Sequence, residues 1–491
     1  MDSAIVIGGG FGGIAAALRL RAKGYSVQLF DRCQTLGGRA QVFVKNGFRH
    51  DAGPTVITAP FLFDELFALF GKRREDYVNF VPLDPWYRFH FADGTTFDYG
   101  GSIEKTLGEI SRFNEDDVQG YKNLLEHSRR IFDVGFSNLA DQPFHNIRTM
   151  IGQVGNLLRL GCYKTVSQLV SKHLKDEHLR QAFSIHPLLV GGNPYETTSI
   201  YSLIHFLEHK WGIHFAVGGT GALVNGLAQL MAEEGIEVNL GVTVKRVLTD
   251  ANSAIGIELD NCNQIYSDLV VSNADPVYLY RHMLDDKSQS PFARIKKKHF
   301  KLSMGLFVLF FGTRRAYPNT AHHTIWLGQR FKELLTEIFH GTTLPKDFSL
   351  YLHRPTATDA SFAPPGCDSF YVLAPVPNLR AAIDWKSAGP LMQERIIEAL
   401  DKSILPGLKN NIVDPFHMSP SDFSSDYLST DGAGFSVSPL FSQSAWFRFH
   451  NLAEGPKNLY LVGSGTHPGA GVPGVLCSAK VLDKLVPPVS T

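Results

Sequence analysis

The stretch AIVIGGGFGGIAAALRLRAKGYSVQLFD, Ala4 to Asp31, limits what this chain can fold into more than any other. A short apolar run, Ala4 to Ile7, leads straight into GGGFGG. Ile14 to Lys23 then reads as a helix with Gly24 as its stop, and Ser26 to Phe30 as a second strand closed by Asp31. Gly8, Gly10 and Gly13 form GxGxxG, and each glycine has its own task. Gly8 permits the tight turn, Gly10 lets a pyrophosphate approach the backbone, and Gly13 lets the helix pack closely on the strand. The helix N-terminus then presents free N–H groups to the phosphates. Asp31, 23 residues after Gly8, is placed to accept hydrogen bonds from ribose hydroxyls, where a 2′-phosphate would call for arginine. Strand, glycines, helix, strand and acid in this order predict a dinucleotide site.

A chain of 491 residues is too long for one simple core, so two or three domains are expected. With 44% hydrophobic and 19% charged residues it is globular, and its formal net charge of zero argues against nucleic acid as a partner. Five cysteines stand singly with no CxxC pair. That suits a reducing compartment and predicts neither a disulfide framework nor a metal site. No signal-peptide pattern opens the sequence, and no apolar run approaches the ~20 residues that span a bilayer. The longest, Ser303 to Gly312 (SMGLFVLFFG), predicts a buried strand. The 35 Phe set against 5 Trp point to extensive aromatic-lined interior surface.

The choice between NAD and FAD turns on the residues after Asp31. LGGR, Leu36 to Arg39, is a second glycine turn with a cation, and HDAGPTVI, His50 to Ile57, a third. NAD extends onto a second mononucleotide fold and has no use for them. A flavin bends back over the first domain, so small residues and a cation, Arg39, belong near its pyrophosphate. At the other end, NLYLVGSGTHPGAGVPGVLCSAKVLDKL (Asn458 to Leu485) reads as strand, glycine/proline loop and helix. Pro473 stands at the helix start. The positive end of that helix would offset negative charge developing on a reduced flavin.

Taken together, VIGGGFGG, LGGRA, HDAGPTV, LLVGGNP, VGGTGALVNGL and YLVGSGTHPGAGVPG resemble the bacterial-type phytoene desaturases. These are FAD-dependent carotenoid desaturases within the amine-oxidase-like flavoproteins. The resemblance runs the length of the chain and includes SNADPVY, AHHT and SAWFRFHN. It implies an α/β fold: a Rossmann-like FAD-binding domain, an interleaved α+β substrate domain and a helical membrane-contacting insert. The FAD domain would comprise residues 1–75, 217–290 and 440–491, the substrate domain 76–135 and 291–439, and the insert 136–216. FAD contacts are implied at Gly8, Gly10, Gly12, Gly13, Asp31, Arg32, Gly38 and Arg39. At the C-terminal end they fall on Gly463, Gly465, Gly471, Val472 and Pro473, with the backbone of Val244 at the adenine. GIEVNLGVTVKRVLTD, Gly235 to Asp250, reads as paired strands.

In the insert, Ile147, Ile151, Val154, Leu158, Cys162, Val166 and Leu169 recur at helical spacing, with Arg148, Arg159, Lys164, Lys172 and Lys175 around them. Spacing alone fits a packed helix and a membrane-dipping lid equally well. The resemblance favours membrane contact, because the implied substrate, a hydrophobic carotenoid, resides in membranes. It also puts Arg148 at the tunnel mouth as the candidate catalytic residue. His322 and His323, adjacent on an expected strand, should point to opposite faces and are not read as a metal pair. Lys296 to Lys298 read as a solvated basic face.

The implied reaction is loss of hydride from an allylic carbon to the flavin, then of a neighbouring proton, repeated to give lycopene or a related polyene. The protein's task would be placement and exclusion of water. Without an iron–sulfur or haem motif, the electron acceptor would be external, oxygen or a quinone. The enzyme would lie peripherally on the cytoplasmic side of a membrane. Two other readings stand beside this one: desaturation of diapophytoene or a hydroxylated carotenoid, and a non-catalytic lipid escort like the GDP-dissociation inhibitors. The retained Asp31 and GGR weigh against the escort.

Overall fold

The opening segment folds as its pattern requires, with Ser3–Ile7 a strand, Phe11–Ala22 a helix and Ser26–Asp31 a second strand. The helix starts at Phe11 rather than Ile14, because Gly12 and Gly13 take part in its first turn. Ile14, Ala15, Ala16, Ala17 and Leu18 are fully buried. The three alanines let the C-terminal helix Val472–Leu485 approach, and Ile14 and Leu18 each contribute about 1.5–3 kcal/mol of burial.

The computed structural model describes residues 2–489, and of residues 147–151 and 154 the backbone alone. A five-stranded parallel sheet carries the opening segment. Its order is Leu459–Leu461, Leu269–Ser272, Ser3–Ile7, Ser26–Asp31 and Glu237–Leu240. Strands from the beginning, middle and end of the chain thus lie side by side.

A seven-stranded sheet forms the second layer, in the order Ile412–Met418, Gly305–Thr313, Asp368–Val376, Leu350–His353, His323–Trp326, Tyr87–His90 and Thr96–Tyr99. All its pairings are antiparallel except that of His323–Trp326 with Tyr87–His90. Gly305–Thr313 is buried at every position, as its unbroken apolar run predicts. A separate antiparallel sheet joins Val244–Asp250, Ser253–Leu259 and Gln264–Tyr266.

Four expectations are corrected. The segment Gly235 to Asp250 does not form paired strands. Glu237–Leu240 pairs with Ser26–Asp31 in the parallel sheet, whereas Val244–Asp250 pairs with Ser253–Leu259. Gly241, at φ 70°, lies between the two sheets. The apolar stripe from Ile147 to Leu169 is two helices, Ile147–Arg159 and Val166–His173. Gly161 at φ 70° breaks it, and Thr165 caps the second helix in a capping box with Gln168. Cys162, Val166 and Leu169 are core, while Leu158 is 56% exposed.

Lys296 is not solvated. It is buried, and its ammonium donates to the Glu454 carboxylate at 2.7 Å and to the Arg448 carbonyl at 2.8 Å. His322 and His323 do not diverge either. His322 lies just outside the strand His323–Trp326, where alternation does not hold, and the two rings are 4.6 Å apart.

Candidate active site

The strand ends and glycine turns meet at a cavity of about 590 Å³ that runs from the end of the parallel sheet to the seven-stranded sheet. This is the size of a ligand pocket. At one end the wall is backbone. Gly8 takes φ 94°, and a side chain on Gly13 would place its Cβ 1.9 Å from the Gly8 carbonyl oxygen, so neither position tolerates another residue. The second turn crosses the first, Gly37 N–H donating to the Gly9 carbonyl at 2.8 Å. Asn273 lies beneath both, close enough that a Cβ on Gly12 or on Gly463 would strike its Oδ1.

Asp31 is buried at the cavity wall, where one carboxylate oxygen accepts Gly9 N–H at 2.5 Å and the other accepts Cys33 N–H at 2.7 Å. Each oxygen keeps a lone pair for a diol. Arg32 and Arg39 also line the cavity. Arg39 donates to the Gly434 carbonyl at 2.5 Å and to Ser429 Oγ at 3.1 Å, and it joins no ion pair among the described residues. Burial lowers its pKa from the ordinary arginine value. A half-buried guanidinium without a carboxylate partner, beside crossed glycine turns, fits the diphosphate of FAD.

Of the remaining expected residues, Gly8, Gly10, Gly12, Gly38, Val244, Gly471, Val472 and Pro473 lie on the cavity wall. The C-terminal helix begins at Val472 with Gly471 as its N-cap, so its free N–H groups reach the cavity. Gly13, Gly463 and Gly465 sit behind the wall. A Cβ at Gly465 would fall 2.2 Å from Pro276 Cδ, so this glycine serves packing. Arg448, fully buried, holds the same loop by donating to the carbonyls of Ser464 and Thr466. The side chain of Arg148, the expected catalytic residue, lies outside the described residues; its backbone is in the helix Ile147–Arg159.

The other end of the cavity is hydrocarbon. Ile185, Leu188, Ile204, Leu207, Ile325, Leu327 and Leu373 form its wall. Two of the polar side chains set into it are marked by no motif in the sequence. Glu208 reaches the wall from the helix Leu203–Trp211 and is 1% exposed. It accepts from His186 Nε2 at 2.9 Å and from Tyr87 Oη at 3.2 Å. A lone acid among Leu203, Ile204, Phe206 and Leu207 was the available signal.

The second feature is Tyr351, whose hydroxyl shares hydrogen bonds with Thr55 Oγ1 at 2.6 Å and His323 Nδ1 at 2.7 Å. Behind it the ring nitrogens of His322, His323 and His353 lie within 4.8 Å of one another. Burial depresses all three pKa values, that of His322 to about 3, and the Arg354 charge adds to the effect on His322. The cluster is therefore neutral imidazole and brings no carboxylate with it.

Comparison with known proteins shows the family. Residues 11–480 match the model of the flavin-containing amine oxidoreductases. The chain is 46% identical to a lycopene-forming phytoene desaturase of Pseudescherichia vulneris, over 99% of both chains. It is 45% identical to one of Pantoea ananas, over 98% of both. An oxidoreductase from Methanosarcina mazei shares the fold at a TM-score of 0.64 with 16% identity, over 98% of this chain and all of its own.

Proposed function

The chain belongs to the flavin-containing amine oxidoreductases and, among them, to the phytoene desaturases, and on that premise we propose that it converts phytoene to lycopene by repeated FAD-dependent desaturation. The single observation that carries this reading is the junction, in one cavity, of a diphosphate-type glycine cradle with an apolar chamber. Bound FAD supplies a two-electron acceptor able to take hydride from carbon. In this reading the crossed turns at Gly8–Gly13 and Gly37–Gly38 hold the diphosphate, Arg39 offsets its charge, and Asp31 takes the ribose diol. The N-terminus of Val472–Leu485 offsets negative charge on the flavin. The leucine and isoleucine wall orients a polyene and keeps water away from an electron-deficient carbon.

Contact with a membrane surface supplies the substrate in this proposal. Phe292, Ile295, Phe441 and Phe447 are exposed large apolar side chains, and Phe292 packs edge-on against Trp446. Ser444 and Ala445, beside them, line the cavity. No helix among the described residues is long and apolar enough to cross a bilayer, so the attachment proposed is peripheral. In this proposal the attachment is on the cytoplasmic side, and oxygen or a quinone is the final acceptor.

Anaerobic mixing of FAD-loaded protein with phytoene in liposomes tests the reading. Bleaching of the flavin band together with new polyene bands is expected, and the position of those bands counts the steps. A flavin that stays oxidised with phytoene but bleaches with diapophytoene or a hydroxylated carotenoid would move the substrate to those compounds. In the same liposomes, Ile295→Asp is expected to reduce co-flotation of the protein; unchanged flotation would remove this face from the membrane contact.

A further inference from the structure

A carboxylate in the hydrocarbon half of the cavity needs a reason to be there. Burying a charge in apolar surroundings is costly unless it is paired, and no Lys or Arg pairs with Glu208 among the described residues. Its partners are His186 Nε2 and Tyr87 Oη. The His186 ring stacks edge-on against that of His205 at 4.1 Å. His186 Nδ1 and both nitrogens of His205 have no hydrogen-bond partner among the described residues.

Three other carboxylates line the cavity. Asp31 accepts two backbone N–H groups in the glycine cradle. Asp275 caps a helix at Tyr278 N–H and accepts Thr430 Oγ1, both through Oδ1; its Oδ2 has no hydrogen-bond partner among the described residues, and its charge acts on Arg39 and Arg448. Asp426 is exposed and accepts Ser425 Oγ. Glu208 alone among these four stands in the apolar chamber.

We propose that Glu208 is the proton acceptor of the desaturation, and that its charge also steadies the allylic cation formed before the proton leaves. The inference rests on the desaturation reading above. Two hydrogens leave adjacent substrate carbons. One departs as hydride, its C–H electron pair going to the flavin as oxidant. The other departs as a proton to a Glu208 carboxylate oxygen, where an O–H bond forms, while its C–H electron pair becomes the new π bond. Tyr87 and His186 are positioning residues that fix the carboxylate against the cavity wall. A fixed anion suits a cation that exists only along the reaction, because it stabilises the charged state and not the neutral hydrocarbon.

The test pairs two readouts on FAD-loaded wild type, Glu208→Gln and Glu208→Asp. In anaerobic single turnovers with phytoene liposomes, Glu208→Gln is expected to slow flavin bleaching by about 10²–10⁴-fold, with flavin content unchanged. Glu208→Asp retains part of the rate. Separately, binding of a long-chain tertiary ammonium analogue of phytoene is read by displacement of a fluorescent polyene. Wild type and Glu208→Asp are expected to prefer it to the neutral hydrocarbon by at least about tenfold, and Glu208→Gln is expected to lose that preference.

Bleaching of Glu208→Gln at the wild-type rate, or an unchanged preference for the ammonium, overturns the proposal. If Glu208→Gln loses its flavin on purification, Glu208→Asp decides through the ammonium preference, whose loss there also overturns it. Failure of wild type to be bleached by phytoene would instead sink the substrate reading, while the ammonium arm still reports on Glu208.

Discussion

The two ends of the cavity are built on opposite principles. The cradle end is made of backbone: crossed glycine turns, helix N-termini and one carboxylate held by two N–H groups. The chamber end is made of side chains contributed by distant strands and helices, with buried Glu208 set into it and a histidine cluster behind Tyr351. Backbone recognition is rigid and demands particular residues at particular spacings. Side-chain recognition depends on volume and tolerates exchange, so long as the buried polar groups keep their partners. The diphosphate is the same in every FAD enzyme, whereas hydrocarbon substrates differ in length.

The sharpest way to break the contrast is Gly13→Ala. A Cβ there meets the Gly8 carbonyl oxygen, a backbone atom, at 1.9 Å, so loss of bound flavin and of soluble protein is expected, read from flavin absorbance. Gly152→Ala, with nothing within 4 Å of the new Cβ, serves as the control. It should be neutral or stabilising by up to about 1 kcal/mol, since alanine is the better helix former. Equal behaviour of the two variants would mean that the cradle is not rigid.

Next in size is Asp31→Ala, which removes the acceptor of Gly9 and Cys33 N–H and the expected diol contact. Flavin affinity should fall by about 2–3 kcal/mol, roughly 30- to 150-fold; fluorescence titration of flavin into the apoprotein measures it. Unchanged affinity would take Asp31 out of the cofactor site.

The smallest effect probes the chamber. A histidine whose folded pKa lies below its unfolded 6.5 binds fewer protons folded than unfolded. Its contribution to stability is complete above about pH 6.5 and is lost as pH falls toward the folded value. His322, at about 3, and His353, well below its ordinary value, both behave this way. By pH 5 His322 costs about 2 kcal/mol, and His353 adds to the decline in the same direction. His353→Phe, among the rings of Phe215, His323 and Tyr371, should therefore flatten the decline of Tm between pH 7 and 5 without altering flavin affinity. A decline as steep as in wild type would show that the chamber histidines do not set the acid sensitivity.

These differences also explain what could be read in advance. GxGxxG, GGR and the THPGAGVPG loop were legible because each is a local backbone device, complete within a dozen residues. Gly13 is required by Gly8, five residues away. Where the reading failed, a distant partner decided. Lys296 looks like one of three surface lysines until Glu454 appears opposite it. His322 and His323 converge because the strand begins only at His323, and His353 of the neighbouring strand joins them. The stripe from Ile147 to Leu169 breaks at Gly161 and at the cap on Thr165, an interruption that apolar periodicity does not register.

The sequence by itself thus carried the expectation of FAD, through glycine turns and an acid that are each local backbone devices. Only the tertiary structure decided what faces the substrate. Glu208, Tyr87 and His186 come from three separate elements, and no spacing along the chain encodes their meeting. Burial then turns an unremarkable acid in an apolar helix into the one carboxylate of the hydrocarbon chamber among the residues described. Charge acquires chemical meaning from its surroundings, and surroundings are made by packing.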